Sequence, residues 1–171
     1  MRHQCGFAVL ALAMLAGSAA AQRPGTIEAS VLARLTMFDP SIGVVDGALG
    51  AGVRVGAYLK PQWLIEADIS TSSSSGLDYR PIHLRVNYLG EYKTGGHMVV
   101  GLGYAMEHYS GTLEGNDSGL SGMLGLRQTF GASAFGRIEF VADYIPSPTN
   151  GAGNNWLGSI QLVGGYVFGR K

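Results

Sequence analysis

Between Thr26 and Phe168 apolar residues return at every second position, in eight successive segments, and charged or small residues fill the places between them. A period of two belongs to the β-strand, whose side chains point alternately to opposite faces. The pattern predicts strands over 26–38, 48–59, 62–71, 79–91, 97–109, 119–130, 134–145 and 156–168. None of these segments carries a helical period. An even number of strands of this length suits an all-β chain closed into an antiparallel up-and-down barrel.

The stretch "WLIEADIS" (63–70) shows why the orientation of the faces matters. Trp63, Ile65, Ala67 and Ile69 share one face; Leu64, Glu66, Asp68 and Ser70 share the other. Along the whole chain the apolar face runs through such residues as Ile27, Val31, Val53, Leu84, Leu102, Leu124, Phe140 and Leu162 without a charge between the strand ends. The opposite face holds Glu28, Arg34, Arg54, Glu66, Asp68, His83, Arg85, Asn87, Glu107, Arg127, Arg137, Glu139, Asp143 and Gln161. A water-soluble, lipocalin-like carrier would turn that polar face to solvent.

Three features predict the reverse, with the charges inside. Lysine, the common solvated charge, occurs only as Lys60, Lys93 and Lys171, at turns or at the end. Glycine supplies 27 of 171 residues, about twice its ordinary share of roughly 7%, and many sit beside the large charged groups, where a crowded lumen needs room. Aromatic residues gather at both ends of the apolar face: Trp63, Tyr88, Phe130, Tyr166 and Phe168 at one end, and Phe38, Tyr104, Tyr144 and Trp156 at the other. Two such girdles match two lipid–water interfaces. The fold expected is therefore a transmembrane β-barrel with a charged lumen filled by side chains, since eight strands leave no more space than that.

Charges in so narrow a space must find partners. The lumen face offers five arginines against six acids, close to self-neutralisation. Counting from the turns puts Arg54 opposite Glu66, Asp68 near Arg85, and Arg127 opposite Arg137 with Glu139 on the diagonal to separate them. The full expected network is Arg34, Arg54, Glu66, Asp68, Arg85, Glu107, Arg127, Arg137, Glu139 and Asp143.

The connections alternate in length. "DPSIGVVDG", "SSSSGLD", "SGTLEGNDS" and "PSPTNGAGNN" read as long loops, whereas "KPQ" and "GAS" are short and "YKTGG" is intermediate. In outer-membrane barrels the long side faces outward. Upstream, "FAVLALAMLAG" followed by "SAAAQ" reads as a secretory signal peptide over residues 1–21, leaving 22–171 as the barrel domain. Cys5 falls in that leader, so neither disulfide nor thiolate chemistry is expected. Ser18 stands where a lipoprotein would need its cysteine. Losing Arg2 brings the 12 basic residues to 11 against 12 acids, a balance with no attraction for nucleic acid.

On these features the chain resembles the small eight-stranded outer-membrane barrels of the OmpA/OmpX type, from about Thr26 to Phe168. The final strand, "WLGSIQLVGGYVF", carries part of that resemblance. Family members end in an aromatic residue read by the barrel-insertion machinery; Tyr166 and Phe168 fit, although "GRK" follows. The resemblance implies outer-membrane lipid and lipopolysaccharide as surroundings, and a role in envelope integrity or surface contacts with an unknown ligand. No open pore, no cofactor and no peptidoglycan-binding domain are expected.

One stretch, "EHYSG", offers chemistry. His108 and Ser110 share a strand face at the long-loop end, where Ser110 as nucleophile and His108 as base could attack a lipid A acyl ester. This is similar to the "HYSN" motif of outer-membrane lipid A deacylases, but Gly111 replaces the Asn, three strands follow, and only Glu114 is available as an orienting acid. The bland alternative is a polar pair at a barrel rim. No grouping of His residues predicts a metal site.

Overall fold

In a computed structural model, which describes residues 24–38, 47–149 and 155–169, the alternating segments form eight antiparallel strands. These are β1 (Ile27–Met37), β2 (Ala48–Lys60), β3 (Trp63–Ser74), β4 (Leu77–Lys93), β5 (Gly96–Gly111), β6 (Gly115–Phe130), β7 (Ala134–Ile145) and β8 (Asn155–Phe168). Each pairs with its neighbours in chain order, and β1 pairs with β8 to close the barrel. That seam runs from Ile27 opposite Phe168 to Met37 opposite Gly158. The expected signal peptide and the segments 39–46 and 150–154 lie outside the described residues.

The polarity is inverted as the sequence predicts. Val31, Leu49 and Leu102 are 65%, 76% and 73% exposed, while Arg34, Arg85 and Arg127 are at most 1% exposed. A water-soluble carrier would show the opposite, so the face assignment rules out that alternative. Glycines open the inner face: a Cβ on Gly103 would lie 2.7 Å from both Cα and Cγ of Arg85, and one on Gly165 would lie 2.5 Å from the Phe135 ring.

Two of the loops expected to be long are not. β3 runs on to Ser74 and β4 begins at Leu77, joined by Ser75 and Gly76 with φ of +51° and +81°. Positive φ at both central residues is the hairpin turn whose twist matches that of the flanking strands. Likewise β5 and β6 are separated only by residues 112–114. Polar composition had made this serine- and glycine-rich sequence look like loop; cross-strand pairing overrides that bias. As a result β4, β5 and β6 reach 17, 16 and 16 residues, against 11 for β1. A membrane-crossing strand needs about 9–11, so these three exceed it at both ends: Leu89–Lys93 of β4 run past Trp63 at the short-turn end, and the β3–β4 and β5–β6 hairpins project as paired sheet at the other.

Pro81 sits within β4. It leaves a gap in the β3–β4 ladder between the pairs Ile69–Ile82 and Ser72–Tyr79, as a residue without an N–H must.

Candidate functional site

The lumen holds most of the unusual chemistry. Its side chains alternate with the apolar outer ones along every strand, so each charge is delivered inward by parity and its partner is set by register. The ion pairs form one connected chain from the outer half of the barrel to the short-turn end. Arg34 lies 3.5 Å from Asp143 and donates to Ser70 Oγ at 3.3 Å. Asp143 Oδ2 is 3.1 Å from His83 Nε2, and His83 Nδ1 is 2.9 Å from Asp68 Oδ1. Asp68 also receives Arg85 and lies 3.3 Å from Arg54 Nε as an ion pair.

From there Arg54 crosses the lumen. Its Nη1 reaches Glu139 Oε2 at 2.9 Å and its Nη2 donates to Gln161 Oε1 at 2.8 Å. Arg137 is the hub of the lower half: its Nε sits 2.5 Å from Glu139, and its Nη1 pairs with Glu66 and lies 3.5 Å from Glu28. Asn87 also donates to Glu66. Glu28 receives Arg127 at 2.7 Å and the Tyr58 hydroxyl at 2.9 Å. Arg127 also lies over the Phe135 ring, 3.9 Å from its centroid, while its Nε and Nη2 meet no hydrogen-bond acceptor among the described residues. Each buried charge therefore meets an opposite charge or a hydrogen-bonding group, the condition under which an ion can be held away from water. Glu107 stands above the chain and accepts the Tyr109 hydroxyl at 2.5 Å.

The expected partners hold in part. Asp68 does meet Arg85, and Arg127 does face Arg137. Arg54, however, faces Asp68, while Glu66 faces Gly56. β2 continues to Lys60, with a bulge between Tyr58 and Lys60, and this sets the hairpin register. Arg54 and Glu66 remain within 3.9 Å. The separation of the two like charges also differs: Glu28, from β1, sits between Arg127 and Arg137, and Glu139 is shared by Arg137 and Arg54.

Sequence reasoning missed the stoppers. Tyr79, Tyr109, Leu77 and Leu157 close the lumen at the outer end, with Phe38 packed on Tyr79 at 5.3 Å between ring centroids. Phe38 thus turns inward and does not belong to the girdle expected of it. Toward the short-turn end Tyr58, Leu64, Leu89, Val99, Met123 and Val141 form one apolar cluster, and Leu32, Phe135, Val163 and Val167 form another. The signal was present: Tyr58, Tyr79 and Tyr109 have the same parity as Arg54, Arg85 and Glu107. The other girdle residues occupy the outer face, where Trp63 meets Tyr88 at 5.3 Å, Tyr144 meets Trp156 at 4.9 Å and Tyr166 meets Phe168 at 5.1 Å. Tyr104 shares a row with Tyr144 and Trp156 across β5 to β8.

His108 and Ser110 lie on the outer face of β5, as parity requires. His108 Nδ1 is 2.7 Å from Asn116 Oδ1 on β6, and Ser110 faces Asp78 on β4. Glu114 lies in the β5–β6 loop. Among the described residues neither Ser110 nor Glu114 bonds to His108, so this structure does not show the base–nucleophile hydrogen bond that activates a serine. Instead Asp78, Arg80, His108, Ser110 and Asn116 form a polar panel on the projecting sheet, above Ile82, Met106 and Tyr104.

A closed eight-strand barrel with an apolar exterior and a salt-bridged, stoppered lumen is the architecture of small outer-membrane barrel proteins. No family model matches the chain, and no curated protein matches it in sequence. Solved structures match in fold. Neisserial surface protein A aligns with a TM-score of 0.65 at 11% identity, over 82% of this chain and 95% of that one. The outer membrane protein OprG of Pseudomonas aeruginosa aligns with a TM-score of 0.59 at 14% identity, over 90% and 99%. Ail, the attachment invasion locus protein of Yersinia pestis, solved with the heparin analogue sucrose octasulfate, aligns with a TM-score of 0.54 at 11% identity, over 85% and 99%.

Proposed function

We propose that this protein is an integral outer-membrane barrel, exported by a cleaved leader, that serves the envelope as a rigid surface-contact platform and not as a pore. The carrying observation is the combination of a lumen closed by ion pairs and aromatic stoppers with strands β4 to β6 prolonged past the length a bilayer requires. The projecting sheet is paired strand to strand, so its polar panel is presented without the ordering penalty a floppy loop would suffer on binding. The likeness to a surface protein and to an attachment protein supports the same reading. Lipopolysaccharide surrounds the panel in this arrangement, and Tyr166 and Phe168 in β8 address the chain to the insertion machinery.

The test is topological and electrical. An epitope placed between Ser75 and Gly76 should be labelled by antibody on intact cells, and one placed at Gln62 only after the envelope is opened. The purified protein in a planar bilayer should pass no steady current. Labelling at Gln62 on intact cells, or a sustained conductance, would overturn the proposal.

A further inference from the structure

The outer face carries glycines that inner crowding does not explain. A Cβ on Gly164 would meet nothing within 4 Å, and one on Gly136 would meet first the Phe130 ring edge at 3.2 Å. These two residues face each other across β7 and β8, in a row that continues through Gln128 to Gly96. A strand position turned to lipid gains from a branched or aromatic side chain, so bare glycines there leave a hollow that the barrel itself does not need. The hollow measures about 580 Å³, within the range of sites that take a small ligand. Its walls are Leu126, Phe130, Ile138 and Leu162, with Gln128 and Tyr92 at its lower rim. Lys93 extends over the Tyr92 ring at 5.5 Å and is exposed.

We infer that this hollow is a binding site for one phosphate-bearing glycerolipid of the periplasmic leaflet, with an acyl chain seated over Gly136 and Gly164. The inference rests on the membrane reading above, which turns this face to lipid and the short-turn end to the periplasm. The chemistry matches along its length. The apolar walls take the chain, and at the turn end a lysine ammonium, a phenol and a carboxamide offer donors at the level of the headgroup. A second copy of the protein could also enter a glycine-lined hollow, but a polar rim of Gln128 and Tyr92, with Lys93 held over Tyr92, suits a headgroup better than an apolar strand.

Native mass spectrometry of the detergent-purified protein with palmitoyl-oleoyl phosphatidylglycerol tests this. The wild type should retain one lipid under conditions that strip the rest. Gly164→Leu fills the hollow from open space and should lower retention at least about tenfold, while still shifting on boiling in a dodecyl sulfate gel. Phe130→Ala, which removes a wall, should also lower retention. Lys93→Gln should weaken phosphatidylglycerol but leave a neutral diacylglycerol unaffected. Equal retention by wild type and Gly164→Leu, or equal affinity for the two lipids, would overturn the inference. So would a cross-linked dimer that Gly164→Leu abolishes. Absence of the gel shift in the wild type would instead bring down the membrane reading itself.

Discussion

Arg137 is the most instructive residue to remove. It is fully enclosed and serves three carboxylates from β1, β3 and β7: Glu28, Glu66 and Glu139. Replacement by Ala deletes two close charge-assisted contacts, at roughly 1.5–3 kcal/mol each, and leaves three acids sharing Arg54 and Arg127. Breaking a buried ion pair from one side costs about 3–5 kcal/mol, the same range. With a urea dependence of about 2 kcal/mol per molar, the unfolding midpoint in phospholipid vesicles should fall by roughly 1.5–2.5 M. Arg80→Ala is the control: Arg80 is exposed on the outer panel, and its loss should stay within about 0.5 kcal/mol. Arg137→Lys keeps the charge without the planar fork and should fall between the two. A midpoint for Arg137→Ala within about 0.3 M of the native value would refute the argument that lumen charges are held by one another and show that water satisfies them.

Three further outcomes follow from the same geometry. Gly103→Val should fail to give the compact, heat-modifiable band, because its Cβ would run into the Leu84 carbonyl oxygen and Arg85 of the paired strand; a normal band would show that the β4–β5 pair can yield there. Replacing both Tyr79 and Tyr109 by Ala removes the outer stopper but not the ion-pair chain, so the bilayer current should stay at baseline, and a steady current would assign the seal to the aromatics. Ser110→Ala should leave the acyl pattern of lipid A unchanged on expression, read by mass spectrometry; a loss of deacylation relative to wild type would restore the enzyme reading of His108 and Ser110.

Strand count, polarity and the burial of the charged face were legible because a period of two is unambiguous over ten or more residues. Register was less so. The partner of Arg54 depends on a single bulge near Lys60, and one misplaced turn moves every pair in the hairpin. The length of β3 to β6 was hidden by composition: "SSSSG" and "GTLEGNDS" contain the residues of loops, and only the pairing of Ser73 with Asp78 and of His108 with Asn116 shows them to be strand. The stoppers were overlooked for a different reason. Tyr58, Tyr79 and Tyr109 sit on the polar face, but an aromatic there reads as amphipathic until the lumen it fills has a known width. The outer-face hollow has no sequence signature beyond Gly136 and Gly164, which look like all the other glycines.

The seam between β1 and β8 places a demand on the order of events during assembly. Arg54 reaches Glu139 and Gln161 on strands made long after β2, and Glu28 waits for Arg127 and Arg137 from the far side of the chain. A barrel lacking its last strands would present a column of uncompensated charge toward a membrane that cannot solvate it. The charges of β1 and β2 are therefore fully matched only once β6 to β8 are in place, and the Ile27–Phe168 pair closes the barrel last in chain order. The chain should cross into the bilayer as a curled, nearly complete sheet, with long-range pairing formed late and slowly, and commitment coming when Ile27 meets Phe168.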